Sequence, residues 1–154
     1  ERGQEFDQAL TTMQRQGIAE ADPALDIDGW DAAAKAAALV NVLMGGAMTP
    51  RHVERVGIRH VKGAAVREAL TRHERVRLVA SASRHGGTVQ ARVEPEWLAW
   101  QDPLAQLTDL QNALYLHTDL LGEIGIVQRS GNLTQTAYAL LTDLWRISQR
   151  FTAS

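Results

Sequence analysis

The sequence predicts an α+β fold, a mixed and largely antiparallel sheet with helices packed on one face. Three observations lead there. Apolar residues recur at helical spacing towards both ends of the chain, two alternating runs flank Gly86-Gly87 in the middle, and 154 residues with 45% hydrophobic and 22% charged content suit one globular domain. Helix-rich ends around a block of strands call for layers in which the helices cover a sheet.

Each element has its own justification. Phe6, Ala9, Leu10 and Met13 stand three and four apart and define a first helix, with Gly17 placed to end it. An acidic loop follows, then a helix from about Gly29 to Met44 that stops at Gly45-Gly46. Its alanines, Ala32 to Ala34 and Ala36 to Ala38, allow a neighbouring element to approach closely. Thr49-Pro50 is a cap followed by proline at the first position of a turn or short helix. Val66, Ala69 and Leu70 form the inward side of a helix from about Gly63 to Arg72. Val76 to Ala82 and Thr88 to Glu94 alternate on either side of Gly86-Gly87 and form a hairpin. Asn112 to Thr118 and Gly125 to Gln128 are two further strands joined near Asp119 to Glu123. The last helix, Leu133 to Gln149, is expected to bury Ala137, Leu140, Leu141, Leu144 and Ile147.

Composition excludes several classes of function. The chain has no cysteine, so neither a disulfide framework nor a thiolate nucleophile is available. Formal charge is −2 and the densest basic stretch, Arg67 to Arg77, is interleaved with Glu68, Glu74 and apolar residues, which argues against a nucleic-acid partner. No apolar run approaches the length of a membrane span, and the first residues lack the basic start and apolar core of a signal peptide. The first residue is not methionine and a helix pattern begins at once, so the chain is expected to be a piece of a longer one. The five histidines (His52, His60, His73, His85 and His117) show no metal-ligand spacing, and no metal is expected. Neither GxGxxG nor GxxxxGK[ST] occurs.

The most informative stretch runs from Gly17 to Lys35. It holds five carboxylates, Glu20, Asp22, Asp26, Asp28 and Asp31, and the first of only two lysines. Asp28 is expected to cap the helix, with Asp31 reaching back to the cap amide. Asp31 and Lys35 then share one face, beside the positive end of the helix. Such pairs also serve simply as helix stabilisers worth a few tenths of a kcal/mol. Against that, arginine outnumbers lysine fourteen to two, and only lysine readily exchanges a proton near neutrality. Ser130-Gly131-Asn132, just before the last helix, can present backbone amides to an anion or be an ordinary turn and cap.

With these residues in place, the chain resembles the substrate-binding, catalytic part of homoserine dehydrogenase. The family pattern Gly-Tyr-x-Glu-x-Asp-Pro-x-x-Asp-x-x-Gly-x-Asp-x-x-x-Lys stands here as Gly17, Ile18, Glu20, Asp22, Pro23, Asp26, Gly29, Asp31 and Lys35, with only the aromatic replaced. Similarity continues through Gly57-Ile58, Val76 to Ala80, Asp102 to Leu104, Asn112-Ala113, Thr118-Asp119, Thr136-Ala137 and Asp143-Leu144. The resemblance implies an oxidoreductase that interconverts L-homoserine and L-aspartate 4-semialdehyde with NAD or NADP. The dinucleotide would be held mainly by a Rossmann domain preceding residue 1, so this chain by itself is expected to be inert. Residues 1–154 would form the substrate-binding and dimerisation domain of a cytoplasmic homodimer acting on a small amino acid. By the same resemblance Asp31 and Lys35 are catalytic, Glu20 holds the substrate's ammonium, and Ser130, Gly131 and Asn132 lie where the cofactor is enclosed. One departure stands out. The family's Gly-x-Gly-Ala-Gly reads here Gln128-Arg129-Ser130-Gly131-Asn132, with a single glycine, which keeps open a non-catalytic oligomerisation or ligand-sensing role.

Overall fold

A computed structural model describes residues 4–16, 19, 22–108, 111–131 and 133–152. Gly17, proposed to end the first helix, lies outside them. The order of elements is α1 (Phe6–Arg15), α2 (Ala24–Ile27), α3 (Trp30–Leu43), a 3₁₀ turn (Pro50–His52), β1 (Glu54–Arg55), α4 (Gly63–Thr71), β2 (Glu74–His85), β3 (Thr88–Ala99), β4 (Asn112–Thr118), β5 (Gly122–Gln128) and α5 (Leu133–Thr152). The architecture is α+β, as the periodicities require. Two short elements were not foreseen. α2 is a single helical turn inside the acidic loop, and β1 has only two residues, too few to show alternation.

The chain divides into two compact units, Glu1–Gln106 and Leu107–Ser154, and the strands divide with it. In the first unit the sheet order is β1-β3-β2, with β1 parallel to β3 and β2 antiparallel to it along the whole hairpin from Glu74↔Ala99 to His85↔Thr88. The register sets Leu78 opposite Pro95 and Ala80 opposite Val93, so one face carries Leu78, Ala91 and Val93. α3 lies on that face. Its small residues Ala33 and Ala37, with Val40, meet Val53, Ala91 and Val93 in the buried core. Alanine on the helix lets the two backbones come close, while Val40 and Val93 are the largest fully buried side chains. α4 packs beside it with Ala69 buried and Val66 and Leu70 half-buried. α1 contributes Phe6, Ala9 and Leu10 as half-buried residues, but Met13 is exposed.

The other face of β2 carries Arg75 and Arg77, which both donate to the Ala105 carbonyl, at 3.2 Å each, and Arg75 also stacks on Trp100. The basic stretch is thus absorbed by structure, since Arg67 pairs with Glu5 and Arg72 with both Glu68 and Glu74.

In the second unit β4 and β5 pair antiparallel from Asn112↔Gln128 to Thr118↔Gly122. Tyr115 faces Gly125 in this register, and its ring lies so close that a Cβ on Gly125 would stand 2.7 Å from Cε1. Tyr115 therefore covers its own neighbouring strand. α5 keeps the expected periodicity, but Ala137, Leu140, Leu141, Leu144 and Ile147 are all exposed rather than buried. Among the described residues no helix is long and apolar enough to cross a membrane.

Candidate active site

The site grows out of the join between α2 and α3. Asp22 Oδ1 accepts from the Ala24 amide at 3.2 Å and so starts α2, whose last residue, Ile27, is buried. The Asp28 amide donates to the Ala24 carbonyl and the Gly29 amide to that of Asp26. Gly29 then turns the chain with φ +76°, and Trp30 begins α3. A side chain at Gly29 would be strained in this left-handed conformation and would also crowd Val93 and Arg55, whose Cγ1 and Cγ atoms lie 3.2 and 3.3 Å from the place of a Cβ.

Asp28 does not cap α3. The left-handed Gly29 is itself the N-cap and makes no side-chain bond, so Asp31 stands at the second helical position and the expected box does not form. Asp28 instead receives Arg59 through both oxygens, Nε to Oδ1 at 3.2 Å and Nη2 to Oδ2 at 3.3 Å. A forked guanidinium satisfies a carboxylate better than one backbone amide does. The Asp28 carbonyl accepts from Arg55 Nε at 3.0 Å.

Asp31 and Lys35 do meet as the spacing requires, with 2.6 Å between Lys35 Nζ and Asp31 Oδ2. Their side chains are 51% and 70% exposed, so the pair adds little to stability and both groups remain open to a ligand. The partial positive charge of the first turn of α3 adds to the lysine's. Glu20 lies outside the described residues. Ser130 and Gly131 belong to the second unit, in the segment that joins β5 to α5, and Asn132 lies outside the described residues. Gln128 Nε2, at the end of β5, donates to Gln135 Oε1 in the first turn of α5 at 3.0 Å. No group of histidines and carboxylates able to hold a metal occurs among the described residues.

Trp30, Arg55 and Arg59 surround the base of α3 without having been singled out in the sequence. The two arginines flank Gly57-Ile58, which was part of the resemblance, and that was the sole available signal. Their partners lie some thirty residues earlier, beyond the reach of any spacing rule.

Comparison with known proteins bears on the family to which the chain belongs. The family model described as homoserine dehydrogenase matches residues 1–145. The NAD(+)-dependent homoserine dehydrogenase of Pseudomonas canavaninivorans is 33% identical over 153 residues, covering 99% of this chain and 44% of that protein. The crystal structure of a homoserine dehydrogenase from Thiobacillus denitrificans superimposes with a TM-score of 0.87 at 30% identity, over 99% of this chain and 36% of the other. A hyperthermophilic archaeal homoserine dehydrogenase mutant in complex with NADPH gives 0.73 at 35% identity, over 96% and 41%. The chain therefore spans less than half the length of these relatives. From the pattern, the matched residues and the shared fold together, the chain belongs to the homoserine dehydrogenase family.

Proposed function

We propose that the protein containing this chain interconverts L-homoserine and L-aspartate 4-semialdehyde, and that residues 1–154 form its substrate-binding and dimerisation domain. The observation that carries this reading is the open Asp31–Lys35 pair at the start of α3, inside the region matched by the family. Glu20 pairs with the substrate's ammonium. Lys35 stabilises negative charge at the reacting oxygen or passes a proton there, and Asp31 fixes the lysine's direction. A nicotinamide dinucleotide, when bound, supplies the hydride chemistry. Ser130, Gly131 and Asn132 offer amides to its phosphates, while most of its grip comes from a Rossmann domain outside these 154 residues. One relative is NAD(+)-dependent by name and another was crystallised with NADPH, so both dinucleotides belong in the test.

The test is turnover of the full-length protein with homoserine and each dinucleotide in turn. Activity with either supports the reading; absence of turnover with both, in protein that is folded, removes it. In the active enzyme Glu20→Gln should mainly raise the KM for homoserine, by roughly tenfold, because it weakens the hold on the ammonium and leaves the proton-transfer group intact. We further expect a cytoplasmic homodimer. Sedimentation showing only monomer at tens of micromolar would count against the dimer.

A second reading, a non-catalytic domain for oligomerisation or ligand sensing, is favoured by the single glycine in Gln128 to Asn132. Calorimetry separates the two: homoserine and dinucleotide binding without turnover would support the second.

A further inference from the structure

The Asp31–Lys35 pair is exposed, and among the described residues the two side chains form an ion pair only with each other. Their aim is therefore set by the backbone at the start of α3, one residue before Asp31. That backbone is gripped from β1. Arg55 pairs with Val93 of the central strand, and the next amide, Val56, donates to the Val93 carbonyl at 2.7 Å. From this anchored position the Arg55 side chain makes two contacts with the helix base. Its Nε donates to the Asp28 carbonyl at 3.0 Å, and its Cζ lies 3.4 Å from the centroid of the Trp30 ring. Its Cγ also abuts Gly29, the left-handed residue of the turn. Just beyond, the Ile58 amide donates to the Ile27 carbonyl at 2.9 Å. Gly57 has no room for a Cβ, which would stand 2.7 Å from Asp28 Cα.

We propose that Arg55 is a positioning residue: by clamping the Asp28 carbonyl and the Trp30 ring it fixes the turn from which α3 starts, and so directs Lys35 at the reacting oxygen. The inference rests on the role given to Lys35 under the proposed function. Arginine suits the task because a planar guanidinium can donate along its edge and stack by its face at the same time. Lysine keeps the charge and loses that combination. Misplacing a reacting group by a fraction of an ångström lowers turnover without loosening the substrate, so the effect should fall on kcat and not on KM.

The experiment is a double-mutant cycle in the full-length enzyme between Arg55→Lys and Lys35→Ala, with folding followed by circular dichroism. Arg55→Lys alone should lower kcat by about tenfold and leave the KM for homoserine within about twofold. In the Lys35→Ala background the same change should lower kcat by less than about twofold, because the group it positions is gone. Equal losses in both backgrounds would mark a merely structural role and overturn the proposal, as would normal kcat in Arg55→Lys. Normal turnover in Lys35→Ala alone would instead remove the role of Lys35 itself, a separate failure. Trp30→Leu keeps the Arg55 hydrogen bond, loses the stack, and is read by the same criteria if Arg55→Lys does not fold. A cycle that is additive for that variant likewise overturns the proposal.

Discussion

α3 and α5 are both apolar-rich helices, yet their surroundings differ. α3 buries Ala36 and puts Ala33, Ala37 and Val40 into a core shared with Val53, Ala91 and Val93, and its first turn is fastened by Arg55. α5 carries Leu144 at 63% and Trp145 at 62% exposure, and no described residue of the second unit is among the buried apolar residues. Helical periodicity in sequence thus announces an apolar face, but says nothing about whether the same stretch of chain supplies its cover. The first unit has the means to fix a side chain such as Lys35; the second shows ladders and turns made locally, such as the Thr118 hydroxyl that donates to the Gly122 carbonyl.

Substitutions can break this comparison at several strengths. Val93→Asp should be the most severe, since it places a carboxylate at a fully buried position of the central strand; a loss on the order of 4 kcal/mol or more is expected in urea titration of the full-length protein. An unchanged midpoint would contradict the core described for the first unit. Lys35→Ala should lower turnover by roughly 100-fold while leaving the melting temperature nearly unchanged, because the exposed pair contributes little to folding. Near-normal turnover in this folded variant would return Lys35 to the role of an ordinary helix partner.

Gly57→Ala should destabilise by about 1–3 kcal/mol, because the added methyl meets the backbone at Ile27 and Asp28 and not a flexible side-chain end. Thermal unfolding of the full-length protein measures it, and a neutral effect would mean that the turn before α3 yields easily. The smallest effect is expected for Leu144→Ser in the 154-residue chain, within about 0.5 kcal/mol, as for other exposed positions. A loss above about 1 kcal/mol would show that the α5 face is packed in solution, and the contrast with α3 would shrink.

The amino-acid sequence alone determined whatever depends on neighbours within a turn or a hairpin. The helical spacing of Val66, Ala69 and Leu70, the proline at the first position of the 3₁₀ turn, the hairpin closed at Gly86-Gly87 and the approach of Asp31 to Lys35 all follow from residues at most a few positions apart. The family pattern was legible for the same reason, being written in one continuous stretch. Tertiary structure decided the rest. Asp28 had the right type and place for a cap, but its partner proved to be Arg59, and the left-handed Gly29 took over the start of the helix. β1 acquired its strand character only by lying beside Val93, and the four longer strands fell into two sheets. The expected burial of Leu140, Leu141 and Leu144 was not met. Which of fourteen arginines reaches which carboxylate or ring depends on how the chain closes over distances of about thirty residues, where loop closure and competing partners, and not local spacing, set the free energy.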